Sequence, residues 1–412
     1  MKGSTLGSTR RSATGITAPL MLVLAACSGF PPFAIDTYLP GLPGIAEDLD
    51  ATAAQVQLTL TAFMLATAVG QLLWGALSDQ VGRRPVLLAG IATGVAASLV
   101  CALAGSIWLL VAMRAVQGLA TGAVMVVARA MVADLSSGAS AARAFSTLAA
   151  VQSVAPIAAP VLGGVLIGPL GWRAAFWLLF GMTVCMSMAI FWMVPETVTP
   201  GRTGASGLRR IATDGRVLLA DRGYVGCLVT VAAGFGTLFA YISGSPFVVQ
   251  SVMGLSEYAY SAIFASTAAT MVALIMVNRR LVRTVAPQRL VVVGVAGQAS
   301  GVAVLVVCVV LLDLPLPGMI AGFLLLQGAQ AFITGNCNAI GLVRAKPRTG
   351  TGAALMGGAQ FGVAALGAPL VSLGGEHSAV PMACVMVVTV LVTAVGVALI
   401  RTAAPVREPA PV

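Results

Sequence analysis

Charge is what this sequence has least of. Only 9% of its 412 residues are Asp, Glu, Lys or Arg, whereas a soluble chain carries about 25%. Lysine is confined to Lys2 and Lys346, and His377 is the only histidine. One histidine, with no His-Glu pair on a helix, leaves zinc chemistry without a ligand set. A phosphate-binding loop needs a glycine-rich turn ending in Lys before Ser or Thr, and neither lysine fits. No cofactor is therefore expected, and any work must be drawn from an ion gradient or a partner. Period-two alternation is absent too, which argues against a barrel. The net charge of +10 lacks a basic domain that could hold nucleic acid. Cysteines 27, 101, 185, 227, 308, 337 and 384 all lie inside apolar runs. There a thiol acts as a small hydrophobe, and no disulfide is expected.

What is abundant is apolar sequence, 58% of the chain. It is divided into runs of about 20 residues, the length of a membrane-crossing helix. Lipid cannot satisfy backbone polar groups, so such runs must be helical. Twelve are expected, at 17–39, 52–75, 85–104, 107–132, 143–168, 173–194, 223–249, 258–278, 288–311, 316–342, 350–374 and 379–400. An even number puts both termini on one side. Apart from Arg114, Arg129 and Arg173, all 23 Lys and Arg fall in the tails or even-numbered loops. Glu47, Asp48, Asp50, Glu257, Asp313 and Glu376 occupy the odd loops. The positive-inside rule then makes the termini cytoplasmic. "LAAC" at Leu24–Cys27 imitates a lipoprotein signal, but the apolar run continues to Leu39, so an ordinary first span is expected. His377 reads as a solvated residue of the outer loop 374–380.

The expected divisions are a tail at 1–16, a six-helix bundle at 17–194, a linker at 195–222, a second bundle at 223–400 and a tail at 401–412. The linker is rich in Gly, Arg and Thr, with a short amphipathic piece over Leu208–Ala220. The bundles read as repeats. Gln117-Gly118 matches Gln327-Gly328. Gln152, Ala159-Pro160 and Gly163-Gly164 match Gln360, Ala368-Pro369 and Gly374-Gly375. Phe33-Ala34 with Pro40 matches Phe239-Ala240 with Pro246. Parallel six-helix repeats are a known transporter design. On this register Asp36 corresponds to Ile242, and Arg114 to Leu324, so only the first half keeps charge inside the membrane.

A charge within a span costs about 2.5–3.5 kcal/mol on insertion scales and normally faces a cavity or a partner. Arg114 is the expected partner of Asp36. The pair either exchanges a proton or forms a static link between helices; the residues alone allow both. Pro156 and Pro160, followed by Gly163-Gly164, should let span five bend and pack closely. Arg129 and Asp134 close span four on the side where Arg83 and Arg84 emerge.

"GALSDQVGRRP" (75–85) resembles the signature between spans two and three of the major facilitator superfamily. Gly75, Leu77, Asp79, Gly82, Arg83 and Arg84 match, while Gln80 replaces an Arg. "LVAMRAVQG" (110–118) is similar to its span-four signature, and "APVLGG" (159–164) to its span-five antiporter signature. "DTYLPGLP" (36–43), "GWRAAF" (171–176) and "PET" (195–197) resemble the bicyclomycin- and chloramphenicol-resistance branch. The resemblance implies an all-α fold of twelve transmembrane helices in two six-helix pseudo-repeats. It implies drug:proton antiport across the cell membrane, with Asp36 and Arg114 as the proton and substrate pair. Asp79, Arg83 and Asp134 would form a cytoplasmic network closing the inner gate in the outward-facing state.

Expected partners are a small amphipathic drug, neutral or weakly polar, together with protons and the lipid bilayer. No nucleic acid is expected, and the chain is taken as a monomer. Tyr38, Gln117, Met125, Phe239, Tyr241 and Asn338 are the expected cavity residues, chosen as aromatic, polar or Met positions. Two rivals stand beside the exporter. One is a nutrient or metabolite symporter on the same fold, which a strongly charged cavity would favour. The other is a membrane sensor that transports nothing.

Overall fold

The computed structural model describes residues 16–403 except 137, 198–206, 347, 374, 376 and 377. The tails beyond those limits, Arg202 of the linker, Gly374, Glu376 and His377 lie outside the described residues. The order is α1 (Ala18–Asp36), a 3-10 turn (Leu39–Gly41), α2 (Leu42–Asp48), α3 (Ala53–Val81), α4 (Arg83–Ala102), α5 (Ile107–Leu135), α6 (Gly138–Leu170), α7 (Arg173–Met193), α8 (Gly207–Ala220), α9 (Arg222–Pro246), a π turn (Phe247–Val252), α10 (Glu257–Leu281), α11 (Pro287–Val310), α12 (Leu316–Arg344), α13 (Thr349–Val371) and α14 (Val380–Thr402). Among the described residues, 12 helices are long and apolar enough to cross a membrane. Trp192, Leu366 and Leu391 are among the large apolar side chains left exposed. Water would penalise such a surface and lipid does not.

Local signals explain where the helices begin and end. Thr52 and Gln55 form a reciprocal capping box at α3, and Ser106 and Ser256 cap α5 and α10. Gly82 turns α3 sharply into α4 with φ of 114°, a conformation that side chains with a Cβ resist. Expected and observed spans agree to within a few residues, with one clear difference. Span one is not helical to Leu39: α1 stops at Asp36, and the chain kinks into the 3-10 turn before α2. Pro40 and Pro43 lack the N–H groups needed to continue. Pro31 and Pro32, by contrast, are held inside α1.

The first six spans pack among themselves, and so do the last six. Within the first half, α3 and α5 cross closely because Gly118 and Gly122 face the carbonyls of Phe63 and Thr67, leaving no room for a Cβ. The linker helix α8 spans almost the segment expected to be amphipathic. It rests on α9 and α13 of the second half. Arg348 Nε lies 2.9 Å from Asp214, and Arg344 Nη1 lies 3.1 Å from Asp221. Asp221 also caps α9, accepting from the N–H groups of Gly223 and Tyr224.

Candidate functional site

The two halves meet along a seam at one end of the bundle. The terminal face is here the end carrying Ile16 and Ala403, and the distal face is the other. Seam contacts gather toward the distal face. Gln57 Nε2 donates to the Ser243 carbonyl at 3.1 Å, Thr61 Oγ1 to that of Ala365 at 3.0 Å, and Gln250 Nε2 to that of Pro40 at 3.0 Å. Gly164 of α6 lies against Ser261 of α10, and Gly168 against the Tyr258 ring. Gly163 meets the Thr37 carbonyl of its own half. The glycine pair thus serves two contacts, one within the half and one across the seam. Pro156 and Pro160 lie inside the continuous α6.

Behind the seam lies a cavity of about 820 Å³ between the halves. Gln71, Met125 and Gln152 line it from the first half, and Phe235, Gln330 and Phe361 from the second. Two expected lining residues, Met125 and Asn338, are there. Tyr38, Gln117, Phe239 and Tyr241 are not, and each is packed instead. Tyr38 bonds Thr59 at 3.0 Å, and Tyr241 bonds Thr267 at 3.0 Å and packs on Phe323. Phe239 stacks behind Phe235, which takes the lining position. The glutamines were missed as lining residues. Gln152 and Gln360 occupy matched positions in the repeat, and a polar residue kept at both was the available signal. Gln152 also donates to Ser28 Oγ at 2.7 Å, tying α6 to α1.

Asp36 does not pair with Arg114, which corrects the expected partnership. Asp36 is buried at the end of α1 and has no ion pair or side-chain hydrogen bond among the described residues. Tyr241 and Tyr260 of the second half lie within its electrostatic reach. Arg114 is fully buried elsewhere, with its guanidinium 4.1 Å from the Phe63 ring centroid and 4.5 Å from that of Tyr38. Ring faces supply the negative potential that a carboxylate was expected to supply, worth roughly 2 kcal/mol when desolvated. Arg114 Nη1 donates to Gln117 at 2.6 Å, and Gln117 Nε2 donates to Ser98 Oγ at 2.7 Å. Gln117 therefore positions Arg114 and faces no cavity. Their similar depth along the spans suggests a pairing; in the structure Arg114 is enclosed by rings and by Gln117 instead.

At the terminal face, Arg83 lies 2.6 Å from Asp79 and 3.2 Å from Asp134. Arg84 donates to the Phe191 carbonyl at 2.9 Å. Glu196, the central residue of "PET", was given no role of its own from the sequence, yet it holds this cluster together. Its two carboxylate oxygens accept from the N–H groups of Arg83 at 2.9 Å and Arg84 at 3.1 Å. These are unpaired donors at the start of α4, where the helix dipole also favours an anion. A Cβ on Gly82 would crowd Glu196 Oε2 at 2.6 Å, so this glycine is needed for the contact as well as the turn. Gly75 is different, since a Cβ there would meet only Val126 at an ordinary 3.4 Å. The three residues of the expected network, Asp79, Arg83 and Asp134, are thus brought together in one cluster. Replacing Glu196 by Ala should cost about 1 kcal/mol, reduced by the site's exposure. Thermal unfolding in detergent should show a lower midpoint; an unchanged midpoint would mean that water serves the two N–H groups equally well.

Comparison with known proteins agrees with this geometry. Residues 21–369 match the model of the Major Facilitator Superfamily. The chain is 31% identical over 373 residues to the bicyclomycin resistance protein homolog of Haemophilus influenzae, covering 89% of this chain and 93% of that protein. It is 32% identical over 237 residues to the multidrug resistance protein MdtL of Escherichia fergusonii, covering 58% and 60%. Among solved structures, a bacterial homolog of the human lysosomal transporter Spinster, inward-facing and unoccupied, superposes with a TM-score of 0.74 at 15% identity over 93% of this chain and 95% of that one. With the twelve helices, the two repeats and the match across most of its length, the chain belongs to the major facilitator superfamily of membrane transporters.

Proposed function

We propose that this protein exports small amphipathic drugs from the cytoplasm in exchange for protons, by alternating access. The observation that carries the reading is the cavity between the halves, with the seam contacts on its distal side and a lining of amides, aromatics, Met and two arginines. In this reading the termini are cytoplasmic and the cell membrane is the host, so the cavity is reached from the inside. Residues 17–194 and 223–400 are the two moving bodies, and one chain suffices. Amphenicol- or bicyclomycin-like compounds are the proposed drugs.

Asp36 is the proposed proton carrier. It is buried at the seam, and among the described residues no cation pairs with it. An ionised carboxylate enclosed without a partner is costly. The seam therefore closes most readily over a neutral carboxyl, and opening it would expose Asp36 to the outside. Outside protons would then favour the return to the inward-facing state after drug release. Arg114, held among rings nearby in the same half, is proposed to tune that step. The cluster of Asp79, Arg83 and Asp134 is proposed to gate the terminal face. Everted vesicles with an imposed pH gradient test the exporter reading. Drug addition should release protons from the vesicle interior. Proton co-uptake would indicate a symporter, and absence of flux under any gradient would indicate a sensor.

A further inference from the structure

Among the described residues, two arginines line the cavity and no carboxylate does. Arg129 lines it from α5, half-buried, and has no ion pair or hydrogen bond among the described residues. Asp134, the acidic residue one turn further along α5, is already held by Arg83 and by the Thr197 hydroxyl. Arg279 stands exposed among the residues lining the same space from α10. Asn278 beside it is already engaged by Asn336 at 2.9 Å. A cation within a membrane span ordinarily has a partner, and one without it marks a functional position. An anion there would also be attracted more strongly than at a water-exposed arginine, because apolar walls lower the local dielectric.

The apolar part of the cavity lies deeper. Arg129 is about 9 Å along α5 from its terminal-face end at Leu135. Phe235 is about 20 Å along α9 from its terminal-face end at Arg222. Phe361, Leu238 and Met125 accompany Phe235. A bound molecule would thus meet cations near the entrance and rings roughly 10 Å further in.

From this arrangement we infer that the cavity selects amphipathic anions: molecules with an aromatic or alkyl body and one carboxylate, sulfonate or phosphate group, which Arg129 binds. This changes the substrate class of the proposed exporter, from the neutral amphenicol- or bicyclomycin-like compounds expected from sequence to amphipathic anions. It rests on the exporter reading only for the purpose of the cavity, because the binding itself needs no transport.

The test is equilibrium fluorescence binding to the full chain in phosphatidylcholine nanodiscs, corrected against empty discs. The probes are 8-anilinonaphthalene-1-sulfonate and its neutral counterpart N-phenyl-1-naphthylamine. The wild type should bind the sulfonate at least tenfold more tightly. Arg129→Gln should weaken the sulfonate at least fivefold and leave the neutral probe unchanged, which also shows that the variant is folded. Gln360→Glu, which places a carboxylate in the cavity, should weaken the sulfonate similarly and keeps the test alive if the first variant misfolds. Equal affinities for the two probes, or sulfonate binding indifferent to both substitutions, would overturn the inference. Discs containing phosphatidylglycerol separate a free solute from a lipid headgroup. Sulfonate binding that persists supports a solute, and Arg129-dependent displacement by the lipid would assign the site to headgroups instead. A drug exporter with a charge-blind cavity fails here while passing the vesicle assay, and a non-transporting anion binder does the reverse.

Discussion

Asp36→Asn should abolish drug efflux driven by a pH gradient, by tenfold or more, while expression stays normal. Asparagine keeps the shape of the neutral carboxyl, and the buried end of α1 should pack as before. Insertion should not suffer either, since an uncharged residue within a span costs less than an ionised one. What is lost is the ability to ionise when the seam opens. The variant should therefore rest in the inward-facing state and respond to neither face's pH. Proteoliposomes with a fluorescent proton indicator and an added drug would show it. If flux in the variant kept the wild-type pH dependence, another group would have to carry the proton, and Asp36 would be only a structural residue of the seam.

Gly164→Leu should block the distal seam from closing, again with at least tenfold loss of efflux. A single Cβ on Gly164 already overlaps the Ser261 side chain across the seam, and a leucine adds three more carbons. The clash falls between the halves, and neither half's own packing depends on it. The protein should therefore fold and shift toward a state open at the distal face. Spin labels at Gly105 and Asp313, on distal loops of opposite halves, should move apart in electron–electron resonance measurements. Gly163→Leu makes an informative contrast. Its Cβ would strike the Thr37 carbonyl within one half, so it should reduce folded yield instead of shifting the distance. Unchanged label separation in Gly164→Leu would show that α6 and α10 can part without opening the seam.

Much of the architecture was legible because lipid imposes one-dimensional rules. Span length, loop charge and the matched glutamines and prolines are all readable along the chain, and they yielded the twelve helices and the two repeats. The short helix over Gly207–Ala220 was legible for the same reason, as an amphipathic stretch between two apolar ones. What depends on rotation about a helix axis was not legible. Phe235 and Phe239 are one turn apart on α9, and only the structure shows that the first lines the cavity while the second backs it. Gln117 looked like a lining residue because it is polar inside a span; it bonds Arg114 three residues earlier on its own helix and Ser98 on α4, whose crossing with α5 no spacing reveals. Arg129 was read by its depth, as a charge near the inner face, although its direction matters more. The role of Glu196 within "PET" was not legible because its partners lie more than a hundred positions away in sequence and are backbone groups, which carry no residue-type signal.

The anchoring of α8 has a mechanical consequence. The Asp214–Arg348 ion pair fastens it to the second half, while Thr197 is bonded to Asp134 of the first. A motion parting the halves at the terminal face would therefore load two side-chain anchors, Thr197 on Asp134 at one side and Asp214 on Arg348 at the other, before it strained the helices of either bundle.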